Sequence, residues 1–196
     1  MKAIIAIIAV SFSIAALTPL YYETHTNYLT VDNNIRPSYL VDGVLFANEL
    51  SKYNARSKTI HCLATMIYGE ARSESTRGQI GVAYTAKNRT KNKDTICNEV
   101  VKPYQYSVFN GNPILIKVAL NPDMMPRLTN ATDSDSWEDA KLVAEAVYNG
   151  TVTDPTHGAT HYLSPKLMKK QRLKMPKWAK RSRVIAIIEN HKFFKV

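Results

Sequence analysis

The sequence predicts a mainly helical α+β domain with a minor C-terminal β-hairpin, and three observations predict it. Apolar residues recur at helical spacing from about Thr59 to Ala71 and again from about Thr76 to Asn88. A third segment, Trp137 to Tyr148, follows a capping cluster at Asp133 to Ser136 and ends at Asn149-Gly150, as a left-handed terminator requires. Val184 to Ile188 and Lys192 to Phe194 flank Glu189-Asn190-His191, the pattern of a small hairpin. The 196 residues leave room for one ordinary domain and a short appendage. With 45% hydrophobic and 21% charged residues, the composition excludes a disordered, collagenous or polytopic membrane chain.

Taken in order, the chain begins with Met-Lys and then an uncharged run from Ala3 to Tyr22, which reads as an export signal. Its length fits both a cleaved signal peptide and a retained signal anchor, and residues 1–22 are left open between the two. Ser13-Ile14-Ala15 offers a small-x-small cleavage site among large neighbours. Lys2 stays inside and no Lys or Arg follows until Arg36, so the rest is expected in the periplasm or cell wall, free or tethered to the inner membrane by residues 3–22. Residues 23–57 lack a sustained period and are expected to form a tether, with a short helix over Val44 to Leu50. The functional domain is then expected over residues 58–196.

In the first strong helix Ile60, Leu63, Ala64, Ile67 and Ala71 share a face, and Glu70 comes at its C-terminal end beside Gly69. Ser73 to Ser75 link it to the second, which carries Ile80, Ala83, Tyr84 and Lys87 at helical spacing. A carboxylate poised between core and solvent is suited to proton transfer, although near Arg72 and Arg77 it reads, taken by itself, more readily as a solvated ion-pair partner. Cys62 and Cys97, an even pair in an oxidising compartment, read as a disulfide, because a metal site would need two further soft ligands nearby. The net charge of +10 would suggest nucleic acid in a cytoplasmic protein, but an exported one meets anionic wall polymers and lipid headgroups instead, so no nucleic-acid partner is expected.

One set of segments in chain order carries more. Cys62-Leu-Ala, Ile67-Tyr-Gly-Glu-Ala-Arg72, Gly78-Gln-Ile, Asn88-Arg89, Cys97, Tyr104-Gln-Tyr-Ser107, Asp154-Pro155, Gly158-Ala-Thr-His-Tyr162, Pro176-Lys-Trp-Ala179 and Asn190-His191 together resemble the SleB-like cell wall hydrolase family, which includes spore cortex-lytic enzymes and phage lysins. The resemblance spans roughly residues 58 to 196 and is specific as a set. It implies a lysozyme-like or lytic-transglycosylase-like fold and cleavage of peptidoglycan between N-acetylmuramic acid and N-acetylglucosamine, in wall lysis or remodelling. It implies that Glu70 is the essential acid, and it places the family's cysteine pair on Cys62 and Cys97. The substrate-binding residues it implies are Tyr68, Gln105, Tyr106, Ser107, Thr160, His161 and Tyr162. Two positions depart from the pattern: Ser73 stands where Gly is usual, and Val108 where a Trp is expected after the Ser.

Glycosidases ordinarily use two carboxylates, whereas a lytic transglycosylase needs one, because the 6-hydroxyl of muramic acid attacks after the same acid has become a base. Glu74 and Asp154 are the candidates for a second carboxylate; neither is strong, so transglycosylation is the expected reaction, with no cofactor. The rival enzyme is a zinc peptidase or amidase using His157 and His161 with Asp154, against which Pro155 and Gly158-Ala-Thr160 break the helix that would align the imidazoles. The rival from another class is a noncatalytic wall-binding scaffold, which would have no use for Glu70. Between Lys166 and Arg183 lies a run of cations around Trp178 with no acid, suited to an anionic wall polymer or membrane surface, or simply to solvation. A monomer is expected.

Overall fold

Helix α1, Ser38–Ala71, is the longest element of the computed structural model, which describes residues 38–196. The chain divides into Met1–Asn48 and the compact unit Glu49–Val196, and of the former only the start of α1 is described. The expected signal or anchor at residues 1–22 lies outside the described residues. Among the described residues no helix is long and apolar enough to cross a membrane.

The start of α1 corrects the sequence reading. A helix was expected from Thr59, after a tether with a short helix over Val44 to Leu50; from Ser38 onward that segment is already helical. The reason is visible in its burial: residues 49–55 are exposed, so no apolar stripe marks the helix there. From His61 to Tyr68 the opposite holds. Every residue is buried, Leu63, Ala64, Met66 and Ile67 completely, so the half that looked amphipathic is a central helix packed on all sides.

Helix α2, Thr76–Asn88, starts where Ser75 caps it, the hydroxyl accepting from Gly78 N at 3.3 Å. After a 3-10 turn at Lys93–Thr95 comes the short α3, Ile96–Val100, tied to α1 by the disulfide Cys62–Cys97, with Cα atoms 5.6 Å apart. A second 3-10 turn at Ser107–Phe109 precedes α4, Pro113–Leu120, capped by Asn112 with Pro113 in its first turn. Helix α5, Ala131–Asn149, ends at Gly150 with φ 73°, as its Asn-Gly sequence requires. It begins earlier than the expected Trp137, because Asn130 is the cap, accepting from Asp133 N at 2.9 Å. Lys87 Nζ and Tyr84 OH of α2 donate to Val147 O and Val152 O, both at 2.6 Å, which fastens α2 against the end of α5. Trp137, 1% exposed, meets His61 and Tyr68 of α1 edge-on.

The C-terminal part is a three-stranded antiparallel sheet rather than a hairpin alone. Strand β1, His161–Leu163, is followed by α6, Pro165–Lys170, and α7, Lys177–Arg181, then β2, Val184–Ile188, and β3, His191–Phe194. The order is β1-β3-β2, with His161 opposite Phe194 and Ile188 opposite His191. The turn between β2 and β3 docks on α2: Glu189, at φ 48°, accepts from Ser75 N at 3.0 Å, a carboxylate at a helix N-terminus. The sheet thus holds β1 close to the end of α1. The mainly helical α+β class is as expected, with one strand more.

Candidate active site

Glu70 lies on the last turn of α1, half-buried, and three donors converge on its carboxylate. Oε1 accepts from Ser107 Oγ at 2.9 Å and from Val108 N at 2.7 Å, and Oε2 accepts from Tyr162 OH at 2.9 Å. The partners come from the 3-10 turn and from β1, segments separated from Glu70 by 37 and 92 residues. Gly69 makes the first of these approaches possible: a Cβ there would overlap the Val108 side chain, 2.9 Å from its Cβ, so any larger residue would push the Val108 amide away from Glu70. Val108, where a Trp is expected, therefore packs against the backbone of α1.

Glu70 opens into a cleft of about 600 Å³. Of the residues expected to bind substrate, Gln105, Tyr106, Ser107, Thr160, His161 and Tyr162 all line it. Tyr68 does not. It is 5% exposed and packs on Trp137 under the Arg72 guanidinium, because two residues along a helix turn a side chain to the opposite face from Glu70. Among the described residues Glu70 is the one carboxylate that lines the cleft. Glu74 lies behind it, held by Asn190 Nδ2 at 3.2 Å and 3.8 Å from His191 Nδ1.

Asp154 is also committed elsewhere. Oδ1 accepts from Thr156 N and Oγ1, and Oδ2 from Gly158 N and Asn88 Nδ2, all within 2.9 Å. Burial works to raise this carboxyl, and the bonds from Thr156, Asn88 and Gly158 outweigh it and hold it below the usual carboxylate range. The group shapes the loop that feeds Thr160 to Tyr162 into the cleft. Among the described residues no cluster of three His, Cys, Asp or Glu has the arrangement of a metal site.

His161 faces a cation instead: Arg89 Nη2 is 3.0 Å from Nε2, and Thr160 Oγ1 is 3.0 Å from Nδ1. Arginine only donates, so Nε2 must accept and the ring proton sits on Nδ1. Burial, and then Arg89, lower the His161 pKa and keep it neutral. Tyr162 is pushed far above the ordinary phenol range, first by burial and then by the Glu70 charge, so its hydroxyl remains a donor. Arg89, Tyr104, Asn110, Lys174, Trp178 and His191 also line the cleft and were missed as site residues. Arg89, Tyr104, Trp178 and His191 lay inside quoted motifs, but only the fold turns them inward. Tyr104, 88% exposed with φ 63°, offers an open aromatic face.

The sequence profile described as Cell Wall Hydrolase matches residues 73–194, more than half of the chain. The chain belongs to the cell wall hydrolase family. Two solved structures are similar to this family member. The catalytic domain of the SleB protein of Bacillus cereus is 25% identical, with a TM-score of 0.50, over 70% of this chain and 90% of that one. The catalytic domain of a germination-specific lytic transglycosylase, SleB of Bacillus anthracis, is 25% identical with a TM-score of 0.51, over 70% of this chain and 94% of that one. No curated protein sequence matches the chain. Membership makes this an enzyme of wall lysis with peptidoglycan as its substrate, and its fold is of the lysozyme-like class expected from the resemblance.

Proposed function

We propose that this cell wall hydrolase cleaves the glycan strand between N-acetylmuramic acid and N-acetylglucosamine as a lytic transglycosylase, with Glu70 as acid and then base. The observation that carries this reading is the solitary Glu70 carboxylate in the cleft, with Glu74 and Asp154 bonded elsewhere among the described residues. A second carboxylate that activates water or attacks carbon has no counterpart there, and the single-acid reaction needs none. The likeness to the Bacillus anthracis lytic transglycosylase agrees with it.

The hydrogen bonds support a place for the proton in this reading. Val108 N can only donate, so Oε1 stays an acceptor in both protonation states, and the transferable proton belongs on Oε2, where the Tyr162 hydroxyl can turn to accept. Oε2–H protonates the glycosidic oxygen as the bond to the muramic anomeric carbon breaks. The carboxylate then takes the proton of the muramic 6-hydroxyl, which closes onto that carbon to form the anhydro ring. Ser107 and Val108 stabilise the anion between the two steps.

Tyr68 is not part of this site in our reading, and Tyr104 supplies the exposed face on which a sugar ring stacks. The zinc alternative is disfavoured, since Asp154 is spent on the loop and His161 on Arg89. The chain is proposed to work outside the cytoplasm, in keeping with its Cys62–Cys97 disulfide.

The test is mass spectrometry of fragments released from purified peptidoglycan by the protein and by Glu70→Gln, each with and without chelator. Anhydro-ended muropeptides that vanish in Glu70→Gln and persist with chelator are expected. Reducing ends would replace transglycosylation by hydrolysis, and chelator-sensitive release of stem peptides would overturn glycan cleavage.

A further inference from the structure

The charge of this molecule is concentrated in one place. Residues 166–183 hold nine Lys and Arg and no acid; with these set aside from the 26, 17 cations remain against 16 Asp and Glu. Almost all of the net +10 therefore sits on one segment. Every one of its cations is exposed, and none makes an ion pair with another described residue. Solubility alone does not call for such clustering, because like charges kept close together repel one another and destabilise the fold.

The backbone directs this segment at the cleft. Helix α6 ends at Lys170, and Arg172 takes φ 54°, a conformation that costs a non-glycine residue about 1 kcal/mol. The chain folds back there, and Leu167, Gln171, Leu173 and Lys174 all come to line the cleft that holds Glu70. The far end is fastened by Trp178, its ring tilted against His161 at 4.9 Å and edge-on to Phe194 at 5.3 Å. One wall of the cleft thus carries a cation, Lys174, and open methyl groups, with Leu167 48% and Leu173 57% exposed, and the other cations of the segment flank it in sequence.

Resting on the glycan-cleaving reading, we propose that this wall is a subsite for the acidic peptide stems of the substrate, anchored by Lys174, the one cation of the segment that lines the cleft. Stems hang from the lactyl group of each muramic residue and carry free carboxylates beside small apolar side chains, which is the chemistry the wall complements. A lipid surface or a teichoic acid would find cations anywhere on the molecule equally useful. Continuity with the cleft through Leu173 and Lys174 favours the strand that occupies it.

The test compares sacculi stripped of teichoic acid with the same sacculi after their carboxylates have been converted to amides. New saccharide ends are counted, and sedimentation of Glu70→Gln with each substrate reports binding without turnover. Amidation is expected to raise KM about five-fold, the upper range for an exposed ion pair. Lys174→Gln is expected to do the same on native sacculi, with Lys174→Arg restoring KM and with amidation adding little to Lys174→Gln. The difference should shrink between about 50 and about 300 mM salt, as screening shortens. Equal KM and equal sedimentation on both substrates would overturn the subsite while leaving glycan cleavage intact. So would anionic phospholipid vesicles that sediment the protein while amidation has no effect, which would assign the wall to a membrane. If no saccharide ends appear from either substrate, the glycan-cleaving reading itself has failed.

Discussion

At Glu70 a single carboxylate is held by three donors, and each donor is a separate point of attack. Tyr162→Phe removes the hydroxyl from Oε2 and is expected to lower kcat about ten-fold with KM little changed, since a hydrogen bond to a charged group is worth about 1.5 to 3 kcal/mol and part of it is recovered from water. Steady-state kinetics on soluble glycan fragments checks it; a pure KM effect would remove Tyr162 from the acid's environment. Gly69→Ala acts one step back, by forcing Val108 off the α1 backbone, and is expected to cost about 1 to 3 kcal/mol of stability together with most of the activity. Denaturant midpoints measured beside kcat would show both. Glu70 stands out in the sequence because its motif carries it, and the structure gives its carboxylate three donors. Tyr68, expected in the cleft, lies outside it because neighbours in a helical motif point to different sides, and of α1 only Glu70 lines the cleft.

Among the elements, those with local punctuation were legible. Helix α2 lies where its apolar spacing put it, and α5 ends at Asn149-Gly150 as its sequence requires, although it starts six residues before the expected Trp137. Residues 49–55 of α1 carry no such signal, because they are exposed, and β1 is three residues long and exists only by pairing with β3. That strand brings His161 and Tyr162 to the acid, so the site's geometry depends on an element without a sequence pattern of its own. The disulfide has the converse property, readable from two residues and mechanical in effect. It joins the helix that bears Glu70 to α3, which leads into the loop that bears Ser107. Replacing both cysteines by Ala is expected to cost about 3 to 4 kcal/mol for a loop of 35 residues, on the chain-entropy account. Thermal unfolding of the double variant beside the oxidised protein measures it.

For the whole molecule, burial acts on three histidines among the described residues: His61 beneath the helices, and His161 and His191 at the cleft. His61 lies under α4 and α5, 2.8 Å from Val118 O, with Lys141 and Asp123 acting in opposite directions. His161 faces Arg89, with Glu99 beyond it, and His191 sits between Tyr162 and Glu74 with Glu70 and Glu189 nearby. Burial is the largest influence on all three and lowers each pKa, so the folded protein holds them neutral. In the unfolded chain they titrate near the ordinary value of about 6.5, so as pH falls the unfolded state takes up protons first. Their contribution to stability is therefore fully present above about pH 6.5 and is lost as pH falls from there through the depressed folded values. Asp154, held below its ordinary value, behaves in the same sense in a lower window: its contribution is present above about pH 4 and is lost further down. Acid unfolding is thus expected in two stages, a decline in Tm between about pH 7 and about pH 5 and a second decline below about pH 4. His191→Gln should flatten the first stage without altering the second, and Asp154→Asn the reverse. A Tm that stays constant from pH 7 to pH 5 would show that these three imidazoles are not held neutral by the fold, and with that the tautomer assigned to His161 opposite Arg89 would lose its basis.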